Sequence, residues 1–215
     1  MEQKVIVFQG DSITDAGRDR MDVFGLGIGY PNLVTAELSV EHPYLYQFFN
    51  RGISGNRVVD LYARIKMDMI NLKPDYMSIL IGINDVWHEI FDHNGVSAEK
   101  FERVYGWMIE ELLCELPNLK LMLLEPFVLP GSATRSDNEN PCRWEYFRAE
   151  TDLRREAVKR LADKYGLRFV PLQDMFDKVN ADAPDGYWLS DGVHPTAAGH
   201  ELIKRAWLEA FETMQ

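Results

Sequence analysis

The chain has 215 residues, 46% of them hydrophobic, and sets 23 Lys and Arg against 34 Asp and Glu for a formal charge of −11. That length can bury a core without staples, an aromatic content of 12% argues against disorder, and two cysteines, Cys114 and Cys142, cannot form a disulfide framework or a four-cysteine zinc site. The negative field repels phosphate backbones and anionic bilayers, so neither nucleic acid nor membrane is an expected partner. No apolar run approaches the roughly 18 residues of a membrane span, and Val5-Ile6-Val7-Phe8 is too short for a secretory signal. The expectation is one domain over residues 1–215, located in the cytoplasm.

Five short strand patterns alternate with helical ones. Val5 to Gln9 ends in the turn signal Gly10-Asp11-Ser12, and Tyr44 to Phe49 is followed by Asn50-Arg51-Gly52. Pro31 to Leu38 lies between them, with Pro in a first helical turn where its missing N–H costs little. Val58 to Leu72 places Val58, Leu61, Ile65, Met69 and Leu72 on one helical stripe. Tyr76 to Ile81 is the third strand, closed by Gly82-Ile83-Asn84-Asp85, which reads as a turn. A helix from Ser97 to about Leu116 leads to Lys120–Leu124. The least regular stretch, Pro130 to Pro141, precedes a helix over Arg143–Tyr165 with Phe147, Leu153, Val158 and Leu161 as its apolar face. Arg168 to Pro171 is the fifth strand, and Thr196 to Met214 closes the chain with Ile203, Trp207, Leu208 and Phe211. Such alternation predicts a parallel sheet covered by helices on both faces.

Ligands of open parallel sheets sit beyond the carboxyl ends of the strands. Three polar clusters fall there: Gly10-Asp11-Ser12, Arg51 to Asn56, and Gly82 to Asp85. Ser12 is a candidate nucleophile in a tight strand-to-helix turn, although a serine there also serves as a helix cap. Asp191 and His194, three residues apart in Ser190-Asp191-Gly192-Val193-His194-Pro195, can share one loop, the carboxylate orienting the imidazole that takes the Ser12 proton. Asn84 can aim its amide at a developing oxyanion, beside the backbone N–H groups of Ser12 and Gly52, where no side chain obstructs the donor. Asp11, Arg57, Trp87 and Tyr187 are the candidates for substrate contact. Trp87 could equally fill the core or an interface, and Arg57 a surface ion pair.

Together the blocks Gly-Asp-Ser, Gly52, Gly-x-Asn-Asp and Asp-x-x-His resemble the GDSL or SGNH hydrolase family over most of the chain. That resemblance implies a flavodoxin-like three-layer α/β/α sandwich on a five-stranded parallel sheet. It also implies a Ser12-His194-Asp191 esterase with an oxyanion hole at Ser12, Gly52 and Asn84. A narrower similarity, in Gly-Asp-Ser-Ile-Thr-Asp-x-Gly-Arg and Gly-Ile-Asn-Asp-Val-Trp, is to bacterial intracellular acetylxylan esterases. It implies deacetylation of xylo-oligosaccharides and a homo-oligomer. The alternatives are a lysophospholipase, thioesterase or arylesterase on the same blocks, or a silent carbohydrate-binding domain.

Other signals carry less. Gly25-Leu26-Gly27-Ile28-Gly29 does not follow a strand directly, so it is no dinucleotide fingerprint. His88 and His93 are too far apart in sequence for a zinc pair on a helix, and His200 reads as a helix-surface residue. Neither metal nor cofactor is expected.

Overall fold

In the computed structural model, which describes residues 3–214, the five strands are β1 (Lys4–Gly10), β2 (Tyr46–Asn50), β3 (Tyr76–Leu80), β4 (Lys120–Leu124) and β5 (Arg168–Val170). They form one parallel sheet in the order β2-β1-β3-β4-β5. Side chains alternate across it. Ile6 and Phe8 of β1, Tyr76 and Leu80 of β3, and Met122 and Leu124 of β4 pack on one face. Val7, Met77, Ile79, Leu121 and Leu123 pack on the other. Because both faces are dry, the strands read as nearly continuous apolar runs instead of alternating ones.

The first face is covered by α2 (Tyr30–Glu41) and α9 (Ala197–Glu212), where Trp207 and Phe211 stack at 4.9 Å between ring centroids. The second is covered by α3 (Val58–Ala63), α6 (Ala98–Glu115) and the C-terminal part of α7 (Arg143–Tyr165). This is the expected α/β/α sandwich. Local chemistry sets the helix ends. Ser97 accepts the Lys100 amide to begin α6, Thr196 accepts the Gly199 amide to begin α9, and α7 stops at Gly166 with φ +65°.

Four expectations change. The stripe from Val58 to Leu72 is not one helix: α3 is followed by α4 (Ile65–Asp68) and a 3-10 turn over Ile70–Leu72. The break is at Arg64, whose guanidinium turns inward to Asn56 Oδ1 (2.9 Å), the Arg51 carbonyl (2.8 Å) and Gln9 Oε1 (2.8 Å), joining the ends of β1 and β2. The segment after β3 is a helix, α5 (Ile83–Asp92), and a further one, α8 (Gln173–Asn180), follows β5. Leu153, expected on the buried face of α7, is 43% exposed. His200 is buried, its Nδ1 accepting the Tyr30 amide at 3.2 Å, and burial pushes its pKa down to about 4.

Candidate active site

The carboxyl ends of β1, β2 and β3 lie side by side, and a polar segment leaves each. After β1, Asp11 caps the short helix α1 (Ser12–Asp15), its Oδ1 accepting the Ile13 amide at 3.0 Å. This turn puts Ser12 at the first helical position, half-buried, with its amide free of any acceptor among the described residues. Asp11 itself is fully buried, and burial pushes its carboxyl up to about 7 against the pull of the Ile13 amide and His194. Its place is in the buried turn before Ser12 rather than on an open binding surface.

Ser12 Oγ lies 2.9 Å from His194 Nε2, across 182 residues of sequence, and His194 Nδ1 lies 2.7 Å from Asp191 Oδ2. Asp191 Oδ1 accepts the amides of Val193 (2.9 Å) and His194 (2.8 Å). Burial disfavours the Asp191 charge, but the hydrogen bonds from the His194 ring and from these two amides outweigh it and hold the carboxyl at about 2. An ionised carboxylate only accepts, so Nδ1 carries the ring proton and Nε2 is left to accept from the Ser12 hydroxyl. The Asp191 hydrogen bond raises the His194 pKa above its ordinary 6.5, against a smaller opposing effect of burial.

Asn84 is the second residue of α5, its Nδ2 donating one hydrogen to the Asn56 carbonyl at 3.1 Å. Gly52 has a different neighbourhood from the one expected. Its amide donates to Asn50 Oδ1 at 2.9 Å, and a Cβ on it would collide with the backbone of Thr14 and Asp15. Glycine is needed there so that β2's exit can pass under α1, and its N–H is already committed. The uncommitted amide in the same segment is that of Gly55, which has no acceptor among the described residues. Gly55 adopts φ +83° at the tip of a turn closed by Asn56 N–H to the Ile53 carbonyl (3.1 Å). Ser54 fixes that turn to α1 by donating its amide and hydroxyl to Asp15 Oδ2, both at 2.9 Å, and His88 Nε2 lies 3.0 Å from the Gly55 carbonyl. The signal for this exchange is in the sequence: an Asn two residues before a Gly makes an Asx turn onto that Gly's amide.

Trp87, on the first turns of α5, stands edge-on to His194 with centroids 6.3 Å apart and packs on Phe91 and Phe147. It is both a core contact and a neighbour of the imidazole. Tyr187 is 53% exposed against Trp188. Arg57 is occupied elsewhere: it pairs with Asp60 at 2.9 Å and donates to the Asn94 carbonyl, so it caps α3 and pins the α5–α6 loop. No three His, Cys, Asp or Glu side chains converge as metal ligands among the described residues.

Residues 8–202 match the model of the GDSL-like Lipase/Acylhydrolase family. The chain belongs to that family. It is similar to an acetylxylan esterase of Geobacillus stearothermophilus, with 35% identity over an aligned 213 residues covering 94% of this chain and 91% of that one. Among solved structures it resembles a mutant of an acetyl-xylooligosaccharide esterase from Geobacillus at a TM-score of 0.83 and 33% identity, covering 96% of this chain and 93% of that one. An alpha/beta hydrolase enzyme from the metagenome of Lake Arreo gives a TM-score of 0.83 with 32% identity over 99% and 96% of the two chains. This family member is a carboxylic ester hydrolase. Among its described residues no helix is long and apolar enough to cross a membrane.

Proposed function

We propose that the protein is a serine esterase that removes O-acetyl groups from carbohydrate of the xylo-oligosaccharide type, using Ser12, His194 and Asp191. The observation that carries this reading is the continuous pair of hydrogen bonds from Ser12 Oγ to His194 Nε2 and from His194 Nδ1 to Asp191 Oδ2. His194 Nε2 takes the hydroxyl proton as Ser12 Oγ bonds to the ester carbonyl carbon. The carbonyl oxygen becomes an oxyanion, and Asp191 stabilises the resulting imidazolium. Collapse breaks the bond to the sugar oxygen, which leaves with the His194 proton, and the acetyl group stays on Ser12. Water then attacks the acetyl-enzyme with His194 again as base, releasing acetate and restoring the hydroxyl.

The oxyanion sits among the amides of Ser12 and Gly55 and the carboxamide of Asn84, with Gly55 taking the part first expected of Gly52. The substrate class rests on the acetylxylan and acetyl-xylooligosaccharide esterases that the chain is similar to. The exposed apolar residues Met21, Val23, Phe24 and Ile28, gathered on the segment before α2, support the accompanying expectation of a homo-oligomer. The test is acetate release from acetylated xylo-oligosaccharides by the wild type and by Ser12→Ala. Release by the first and none by the second is expected, and retained turnover in the variant refutes the assignment. A preference for p-nitrophenyl octanoate over acetate would move the substrate to the lipase or thioesterase class.

A further inference from the structure

Two residues of α5 reach the same turn. Asn84 and His88 are four apart in sequence, so they stand on one face of the helix, about 6 Å apart along its axis. Asn84 Nδ2 donates to the Asn56 carbonyl at 3.1 Å, and His88 Nε2 lies 3.0 Å from the Gly55 carbonyl. Successive carbonyls of the segment after β2 are thus tied to successive turns of one helix. Asn84 is one of the proposed oxyanion donors, and Gly55, whose carbonyl His88 meets, supplies another through its amide.

Packing does little to hold the tip of that turn. Ser54 is exposed, and a Cβ on Gly55 would meet nothing beyond its chain neighbours nearer than His88 Nε2 at 3.9 Å. Glycine is needed there for its φ of +83° and not for a close approach. Hydrogen bonds hold the tip instead. Asp15 on α1 accepts the Ser54 amide and hydroxyl, and α5 contributes Asn84 and His88. A carbonyl only accepts, so the bond to Gly55 requires a proton on His88 Nε2. The other ring nitrogen, Nδ1, lies 3.0 Å from Asp92 Oδ2. An imidazolium makes both bonds, whereas a neutral ring has one N–H. Nε2 keeps it, because the Asp92 side chain is 56% exposed and turns to water, while the Gly55 carbonyl has no second donor among the described residues. Without His88, the Asn84 carboxamide that aims at the oxyanion would also have to restrain the turn.

We propose that His88 is a positioning residue for ester hydrolysis: its Nε2–H holds the Gly55 carbonyl and so fixes the Gly55 amide relative to the Asn84 carboxamide. The inference rests on the serine-esterase reading with Gly55 and Asn84 as oxyanion donors, and adds what sets the spacing between them.

The experiment measures kcat and KM for p-nitrophenyl acetate, and inhibition by phenylboronic acid, in the wild type, His88→Met, His88→Gln and Asp92→Ala, with kcat referred to the folded fraction. Boron bonded to Ser12 Oγ carries an oxygen at the oxyanion position, so its affinity reports on the donors. Methionine fills the space without an N–H, and kcat should fall about 10- to 100-fold at near-constant KM with a matching loss of boronic acid affinity. Glutamine returns an N–H to the place of Nε2 and should bring kcat to within about threefold of the wild type. Asp92→Ala leaves the Gly55 bond in place and should stay within about twofold. A Met variant with wild-type kcat, a Gln or Asp92→Ala variant as slow as Met, or a slow Met variant with unchanged boronic acid affinity overturns the positioning role. Turnover that survives Ser12→Ala, or a kcat indifferent to Asn84→Ala, refutes instead the reading on which it rests.

Discussion

Exchanging Asp191 for asparagine keeps the side chain's volume and removes its charge, and the hydrogen bonds around it dictate the consequence. Oδ1 already accepts two amides, from Val193 and His194. The carboxamide must keep its oxygen there, because an NH2 group would face two donors, so the NH2 turns toward His194 Nδ1. The ring then accepts at Nδ1 and carries its proton on Nε2, the tautomer that donates to Ser12 instead of receiving from it. In the wild type the Asp191 carboxyl is held at about 2 against an ordinary 3.8. At about 1.36 kcal/mol per pH unit, and with screening by solvent at this partly exposed carboxylate discounted, that preference for the charged form is on the order of 1–2 kcal/mol. Trapping the wrong tautomer adds to its loss, and kcat should fall about 10³- to 10⁴-fold with little change in KM. Asp191→Ala frees the ring to adopt either tautomer, so its kcat should exceed that of the Asn variant by about tenfold or more. Its fold should suffer more, because two amides lose an acceptor at about 1 kcal/mol each before water replaces it. The assay is p-nitrophenyl acetate hydrolysis, with melting temperatures for each variant. An Asn variant within tenfold of wild type, or an Ala variant slower than Asn, refutes the tautomer argument.

Activity should fall as pH drops, with its midpoint above 6.5, because protonated His194 cannot take the Ser12 proton and Asp191 raises its pKa. A kcat/KM inflection below 6.5 would contradict this. The same raised pKa means that the imidazolium–carboxylate pair stabilises the fold fully below pH 6.5 and loses that contribution as pH rises through the folded value. If Asn84 serves as the proposed oxyanion donor, Asn84→Ala should lower kcat about 10²- to 10³-fold at near-constant KM; a raised KM with kcat unchanged would place Asn84 in ground-state binding. Gly52→Ala drives a Cβ into the backbone of α1 and should cost about 1–3 kcal/mol, lowering the melting temperature by roughly 3–10 °C. An unchanged melting curve would show that α1 can yield there.

Where a pattern depended on local chemistry, the sequence was enough to read it. Lys120–Leu124 and Arg143–Tyr165 have the predicted bounds, the first following Pro117-Asn118 and the second ending at Gly166. The Val58–Leu72 stripe was misleading because periodicity does not reveal that Arg64 is needed to join β1 to β2. The ten residues of α5 were hidden by Gly82 and Asn84-Asp85, which have the composition of a turn. Asp85 is buried and accepts the Val58 amide, so its polarity marks an internal contact and not a loop. The Ser12, Asp191 and His194 motifs were visible as types and spacings. The choice between Gly52 and Gly55 turns on Asn50, whose place two residues before Gly52 marks the Asx turn that takes up that amide.

The parts of this site are held by two different kinds of restraint. β1 is paired with β2 on one side and β3 on the other, so the segments carrying Ser12, Gly55 and Asn84 are neighbours by sheet pairing alone. His194 follows α8 and has no strand of its own. Its loop is closed by the Leu189–Pro195 bridge and the Ser190 amide on the His194 carbonyl (2.8 Å). It is tied to the segment after β4 by the Leu129 amide on the Gly192 carbonyl (2.9 Å) and the Ala133 amide on the Asp191 carbonyl (3.0 Å). Thr134 stiffens that segment from within, its buried hydroxyl donating to the Leu129 carbonyl and accepting the Gly131 amide. Ser12, Gly55 and Asn84 thus share the stability of the sheet, whereas His194 depends on one loop docking on another. Local opening of loops costs less than opening of central strands, so the 2.9 Å contact between Ser12 and His194 is governed chiefly by how firmly the segment after β4 holds the Asp191–His194 loop.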